Sequence, residues 1–93
     1  MHKSLSERIE QAIREAWSPQ DPNIRVEIAS REDGKLEITL ISAIFEGQDS
    51  FERESGLWTV LRSFSPSDLV RLTYSLLLTP AEAKAFYPER GHD

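Results

Sequence analysis

The stretch FEGQDSFERESGLWTVL, residues 45 to 61, decides the fold. Its first residues, Phe45-Glu46-Gly47, predict a turn with an aromatic anchor, because glycine adopts a positive φ at little cost. Asp49 or Ser50 can then cap a helix, and Glu52 adds a favourable carboxylate to its first turn. Apolar residues follow at helical spacing, so we expect one buried face. They are Leu57, Trp58, Val60, Leu61 and Phe64.

Length and composition limit the class of protein. A chain of 93 residues predicts a single domain spanning 1–93, with a polar tail from about residue 88. The absence of cysteine excludes disulfides, thiolate nucleophiles and cysteine metal sites. No apolar run approaches the roughly 20 residues that span a bilayer, and the amino terminus lacks a signal-peptide pattern. We therefore predict a cytoplasmic protein that does not enter a membrane.

A first amphipathic helix precedes this stretch. Ser4 and Glu7 have the spacing of a capping box, in which a hydroxyl and a carboxylate each bind a free backbone N–H group. Apolar residues from Leu5 to Trp17 then recur at helical spacing over roughly four turns. Ser18-Pro19 ends the helix, which leaves Trp17 as a candidate for partial exposure, whereas Trp58 is expected in the core.

Three segments alternate between apolar and polar residues, the pattern of half-buried strands. The first two run from Ile24 to Ile28 and from Lys35 to Leu40. Asp33-Gly34 lies between them and is a strong signal for a hairpin turn. The third runs from Leu72 to Leu78. Its alternation places Tyr74 on the face towards the helices, together with Leu72, Leu76 and Leu78. Leu77 is directed to the opposite face, where it is either exposed or covered by the last helix or the tail.

Two short helices flank the third strand. Ser65-Pro66-Ser67-Asp68 and Thr79-Pro80-Ala81-Glu82 share a hydroxyl cap, a proline at the first helical position and a carboxylate at the third. The predicted order is therefore α-β-β-α-(α)-β-α. It indicates an α+β fold with a three-stranded mixed sheet and helices packed on one face. The helical crossover between the second and third strands predicts parallel pairing.

The order and the central motif resemble those of the BolA family. In that family, a Phe-x-Gly turn precedes a helix with an apolar residue, an Arg-His pair and an aromatic end. Phe45-Glu46-Gly47 matches the turn, Phe51 the apolar position, Arg53 the arginine, and Leu57-Trp58 the apolar–aromatic pair. Leu78-Thr79-Pro80-Ala81-Glu82 is similar to the family's closing segment. The resemblance implies a BolA-like fold, which is related to type II KH domains.

The sequence departs from the family at its histidines. Glu54 stands where the family places the histidine after the arginine, and Arg71 stands where a second histidine opens the third strand. The resemblance associates these histidines with iron or iron–sulfur binding shared with a monothiol glutaredoxin. A metal needs imidazole, thiolate or carboxylate donors that converge, and arginine is not one of them. We therefore expect no metal, no cofactor and no shared cluster.

These observations predict a non-catalytic, BolA-like interaction and regulatory module that binds a protein partner. A monothiol glutaredoxin remains a possible partner but a disfavoured one, and we expect a monomer or a weak homodimer. An enzyme is disfavoured because no mid-chain histidine or nucleophile motif is present. The predicted partner-binding residues are Phe45, Gly47, Arg53, Glu54 and Arg71.

The alternative is a KH-like, nucleic-acid-binding regulator of DNA or RNA. KH-type folds approach phosphates through a Gly-x-x-Gly loop, but Gly47 is followed by Gln48, Asp49 and Ser50. The carboxylate of Asp49 repels phosphate, and the formal net charge of −5 lacks the excess of Lys and Arg on which phosphate binding depends.

Overall fold

The computed structural model describes residues 3–86, and its elements follow the predicted order. The polar tail predicted from about residue 88 lies outside the described residues. Within residues 3–86, no helix has the length and apolar character needed to cross a bilayer. The elements are α1 (Leu5–Trp17), β1 (Arg25–Ser30), β2 (Leu36–Ile41), a 3-10 helix (Ala43–Phe45), α2 (Ser50–Val60), α3 (Pro66–Leu69), β3 (Leu72–Leu78) and α4 (Pro80–Phe86).

Local capping signals set the helix starts. Ser4 and Glu7 form the predicted capping box of α1, and Asp49 forms a second box with Glu52 at the start of α2. Each box satisfies two backbone N–H groups that have no partner inside the helix. The sequence left Asp49 and Ser50 open as caps, and the structure selects Asp49.

The sheet has the order β1-β2-β3, with β1 antiparallel and β3 parallel to the central β2. This confirms the predicted α+β fold with a mixed sheet. Leu36, Ile38 and Leu40 alternate along β2 and form one core cluster with the buried residues of α1 and α2. The core thus lies between one sheet face and these two helices. Its helical members are Leu5, Ile9, Ile13, Leu57 and, just after α2, Leu61.

The phase of β3 differs from the prediction because the strand contains a bulge. Leu36 pairs with Leu72 but Glu37 pairs with Tyr74, so Thr73 is an extra residue, and its hydroxyl donates to the Leu36 carbonyl at 3.1 Å. A shift of one residue exchanges the two faces of a strand. Leu77 therefore pairs with Leu40 on the core face and is only 8% exposed, so the prediction that it faces away from the helices was wrong.

Two turns at which the chain reverses direction each contain a glycine with a positive φ. Gly34 has φ 82° in the β1–β2 turn, and Gly47 has φ 81° between the 3-10 helix and α2. Both values lie in the left-handed region, where a side chain is strained. The predicted turns at Asp33-Gly34 and Phe45-Glu46-Gly47 are thereby confirmed.

Two aromatic rings connect the end of α1 to the 3-10 helix. Trp17 is half-buried, as expected from its place at a helix end, and packs edge-on against Phe45 with ring centroids 5.7 Å apart. A Cβ atom added to Gly56 of α2 would lie 3.5 Å from the Trp17 ring, which is an ordinary van der Waals distance. The helices are close at Gly56, but alanine fits there without displacing the tryptophan.

We predict that Gly56→Ala raises the free energy of unfolding by about 0.5–1 kcal/mol, because glycine inside a helix loses more backbone entropy on folding. Gly47→Ala is the matched control: its positive φ should make the same change destabilising by about 1 kcal/mol or more. Urea denaturation of the three proteins measures both effects. A destabilised Gly56→Ala protein would show that α1 and α2 pack too closely at this point to accept a methyl group.

Candidate functional site

Arg53 joins α2 to two other elements. Its guanidinium donates to both carboxylate oxygens of Glu82 in α4, at 2.6 and 3.1 Å, and to the Leu77 carbonyl of β3 at 2.9 Å. Its Nε donates to the Gln48 carbonyl at 2.9 Å, and its charge lies 5.8 Å from the centre of the Phe45 ring. The side chain is only 13% exposed. Its hydrogen-bonding capacity is thus largely used inside the molecule.

Glu82 serves the ion pair and a helix cap together. Its Oε1 accepts from the Thr79 backbone N–H at 3.0 Å, and its own N–H donates to the Thr79 hydroxyl at 3.1 Å. The hydrogen bond from Arg53, followed by that from the Thr79 backbone, lowers the pKa of Glu82 from 4.5 to about 2. At neutral pH the Glu82 carboxylate is therefore ionised, and it links the start of α4 to the Arg53 side chain of α2.

The two turn residues of the predicted site, Phe45 and Gly47, differ in their exposure. Phe45 is 1% exposed and belongs to the core cluster, so its side chain is not on the surface. Gly47 is exposed, and no atom lies within 4 Å of the position its Cβ would take. The structure thus places Phe45 as an anchor beneath the turn and leaves the backbone of Gly47 open to solvent.

Arg71 lies at the other end of β3 from Arg53. Its Nε donates to the Gly34 carbonyl in the β1–β2 turn at 2.9 Å. Arg53 contacts Leu77, six residues further along, which corresponds to about 20 Å of strand. The structure therefore does not bring Arg71 beside Arg53 into one surface.

Glu54 lies on the exposed side of α2 beside Trp58. Within residues 3–86 its carboxylate makes no hydrogen bond or ion pair, although it follows directly after the fully engaged Arg53. Trp58, one helical turn later, is 42% exposed, so its predicted place in the core was wrong. Phe51, one turn earlier than Glu54, is 79% exposed. An unpaired carboxylate thus stands between two exposed aromatic rings.

Two adjoining depressions form a groove between α2 and β3, which we call the α2–β3 groove. The first, of about 550 Å³, is lined by Arg53, Glu54 and the end of β3, with α4 at its far side. The second, of about 340 Å³, is lined by Glu54, Trp58 and the start of β3. Glu54 and Ser75 line both, so the groove is continuous along the strand.

The floor of this groove is the outer edge of the sheet. In the part of the chain that the structure describes, β3 pairs only with β2. Its other side presents backbone groups that elsewhere in a sheet would be hydrogen-bonded to a neighbouring strand. Arg53 occupies one of them, the Leu77 carbonyl. The candidate site is therefore a strand edge overhung by the exposed face of α2.

The sequence pointed to Arg53 and Glu54, which line the groove, but not to Trp58, Ser75 and Glu82, which line it as well. Phe51, Glu54 and Trp58 are spaced at i, i+3 and i+7, which places them on one helix face. That spacing was the available signal for the exposed tryptophan, and it competed with the apolar pattern of Leu57 and Leu61. Ser75 and Glu82 had no such signal, because their roles depend on strand pairing and on a contact 29 residues away.

The described residues contain no metal-binding cluster, and the two carboxylates with a resolved pKa shift are both shifted downwards. Among residues 3–86, no three histidine, aspartate or glutamate side chains lie close enough to hold a metal ion. Hydrogen bonds from Ser42 chiefly, and from the Asn23 and Ala43 backbone, lower the pKa of Asp21. Arg53 does the same to Glu82. A general acid at neutral pH needs the opposite shift.

The elements and their pairing define a BolA-like fold. The chain is similar to the solved structure of BolA1 from Arabidopsis thaliana, with a TM-score of 0.59 over 87% of this chain and 98% of that one. The two are 15% identical in sequence, so the likeness establishes the fold and leaves the function open. No protein-family model matches the chain, and no curated protein matches it.

We predict that the ion pair between Glu82 and Arg53 stabilises the protein only while Glu82 is ionised. Its pKa falls from 4.5 to about 2 on folding, so the folded state releases this proton more readily than the unfolded state. The contribution is complete above pH 4.5 and is lost as the pH falls towards 2. The thermal midpoint of wild type should therefore exceed that of Glu82→Gln at pH 7, and the difference should shrink steadily below pH 4.5.

The Arg53→Gln protein is the control for this pH dependence. Without the guanidinium, the main cause of the pKa shift is gone, so Glu82→Gln in that background should change the midpoint far less between pH 7 and pH 3. An undiminished pH-dependent difference in the Arg53→Gln background would assign the effect to the Thr79 capping box instead.

Proposed function

We propose that this chain is a non-catalytic, BolA-like interaction and regulatory module of the cytoplasm that binds a protein partner through the α2–β3 groove. One observation carries the proposal. Glu54 is exposed and unpaired among the described residues, beside a tryptophan that is 42% exposed, above a strand edge that no described strand covers. Exposed tryptophan is enriched among the residues that dominate protein–protein binding energies.

The five predicted partner-binding residues have different parts in this proposal. Glu54 contacts the partner directly. Arg53 and Phe45 act by holding α2 against β3, because one is engaged by Glu82 and the other is buried. Gly47 offers an exposed backbone at the start of the same helix. Arg71 is directed to the β1–β2 turn and lies outside the contact surface. Trp58 joins the set.

The donors that residues 3–86 supply do not fit an iron–sulfur cluster. The resemblance to the BolA family implies donors at the positions that Glu54 and Arg71 occupy. Guanidinium is not a ligand, and Arg71 donates to the Gly34 carbonyl. A carboxylate alone is a poor donor for a soft iron–sulfur centre. We therefore propose that cluster binding with a monothiol glutaredoxin has been lost.

The groove also favours a protein over a nucleic acid. Among its described lining residues Arg53 is the one cation, and Glu82 neutralises it. Ser50 stands where the second glycine of a Gly-x-x-Gly loop would approach phosphate, and the carboxylate of Asp49 beside it caps α2. Nucleic-acid binding depends on free lysine and arginine side chains, and residues 3–86 place none in this groove.

We predict that a combined Glu54→Ala, Trp58→Ser variant loses the partner. Affinity purification of the tagged chain, followed by mass spectrometry, should recover a protein that the variant captures at least about fivefold less, because truncating an interface tryptophan costs on the order of 1–2 kcal/mol or more. The recovered partner, expressed alone, should then bind the purified wild-type chain.

The matched control removes a carboxylate at a position away from the groove. Glu32→Ala in the β1–β2 turn removes an exposed carboxylate without touching α2 or β3. This protein should capture the partner as well as wild type. Equal capture by all three proteins, with circular dichroism showing that each is folded, would contradict the proposed surface.

Loss of cluster binding gives a separate prediction. Mixed with a monothiol glutaredoxin that carries a reconstituted iron–sulfur cluster, this chain should leave the visible absorption and circular dichroism spectra unchanged. The Glu54→His, Arg71→His double variant tests whether the missing histidine donors alone account for the loss of cluster binding. A spectral change and a stable mixed complex with the wild-type chain would refute the loss of this function.

A further inference from the structure

We infer that the α2–β3 groove takes an extended peptide segment of the partner protein, which adds to the free edge of β3 as a fourth strand and places a basic side chain against Glu54. The inference rests on the proposed function and specifies the chemistry of the partner. It is carried by the direction of the backbone groups in β3, by the exposed side chains that flank them and by the unpaired charge of Glu54.

The hydrogen bonds of β3 identify which backbone groups face outward. The Leu78 carbonyl accepts from the Ser42 N–H at 2.9 Å and is therefore directed towards β2. Successive residues of a strand direct their backbone groups to opposite sides. Leu77 and Ser75 consequently face the outer edge. The bond from Arg53 to the Leu77 carbonyl agrees with this assignment.

The open part of the edge is short and has defined ends. At one end Arg53 covers the Leu77 carbonyl. At the other, the bulge at Thr73 breaks the regular ladder. The N–H and C=O groups of Ser75 lie between them, with the Leu77 N–H beside them. An added strand can thus form about two or three backbone hydrogen bonds, so specificity must come from its side chains.

The side chains of an added strand meet two different surfaces. Alternate residues of a strand point to opposite faces. On one face they approach Trp58 and Glu54 of α2, which overhang the groove. On the other they approach Tyr74, which is 50% exposed on the face opposite the helices. Apolar or β-branched residues suit both aromatic rings.

Charge decides what stands opposite Glu54. The groove's cation is already paired with Glu82, which leaves Glu54 as its unsatisfied charge among the described lining residues. A lysine or arginine on the added strand satisfies it. A second copy of this chain, paired β3 to β3 across a two-fold axis near Ser75, would instead bring two Glu54 carboxylates together. We therefore assign the groove to a basic, extended segment of another protein.

The test uses a library of random dodecapeptides, selected on the full chain with residues 87–93 in place. Enriched peptides should carry Lys or Arg within a run of β-branched and aromatic residues. Synthetic, fluorescein-labelled copies are then titrated by fluorescence polarisation. Methylating the backbone nitrogens of one peptide in turn should weaken binding about threefold to tenfold at alternate positions only, since alternate amides face β3.

Charge reversal tests the contact with Glu54. Glu54→Lys should weaken the basic peptides about twofold to fivefold, and replacing the peptide's basic residue by glutamate should restore binding to this variant and not to wild type. Glu32→Lys changes the net charge equally in the β1–β2 turn and should leave the affinities unchanged. This comparison separates a local contact from general attraction to an acidic protein.

Several results would overturn the inference. They are the absence of enriched peptides, equal effects of methylation at every position or at none, and equal responses to Glu54→Lys and Glu32→Lys. Dimerisation in analytical ultracentrifugation that Ser75→Pro abolishes would assign the edge to a second copy. Binding of single-stranded RNA that is tighter than binding of the peptides would assign it to nucleic acid. If capture of the partner still requires Glu54 and Trp58 but the peptide tests fail, the proposed function stands without strand addition.

Discussion

Burial of the central strand is the constraint on which the rest of the structure depends. A three-stranded sheet has one interior strand, and Leu36, Ile38 and Leu40 of β2 are at most 2% exposed. Burying each such side chain contributes about 1.5–3 kcal/mol, so a small domain must commit both long helices to this face. As a consequence β1 and β3 become edge strands. The exposed side of α2 then overhangs the edge of β3, and the groove arises from that geometry.

Arg53 determines how much of that edge remains open. A planar guanidinium can engage a carboxylate with two hydrogen bonds and still donate to carbonyl groups, which an ammonium cannot do with the same geometry. It therefore fastens α2, β3 and α4 at one end of the strand and covers one carbonyl there. Edge strands in proteins are commonly shielded by such devices. Among residues 3–86 this shielding stops at Leu77, and no described strand covers the stretch around Ser75.

The fold constrains the function less than the side chains do. A BolA-like arrangement of helices and strands supports any chemistry that its exposed residues supply. The positions of Glu54 and Arg71, where the family resemblance implies histidines, supply a free carboxylate and a guanidinium committed to the Gly34 carbonyl. We therefore propose that recognition depends on charge, exposed aromatic rings and backbone hydrogen bonding. These are the elements of peptide recognition, and none of them requires a metal.

The sequence by itself determined the order of elements, their caps and their turns. Those signals act between residues no more than about four apart: the Ser4–Glu7 and Thr79–Glu82 boxes, and the left-handed glycines at 34 and 47. Two features depend on the three-dimensional arrangement: a bulge at Thr73 turns Leu77 inward, and Arg53 meets Glu82. For Trp58, two sequence patterns conflicted, and packing left it exposed. The reason is physical. Register and long-range ion pairs depend on how strands and helices align in space, and a shift of one residue reverses the face on which every side chain lies.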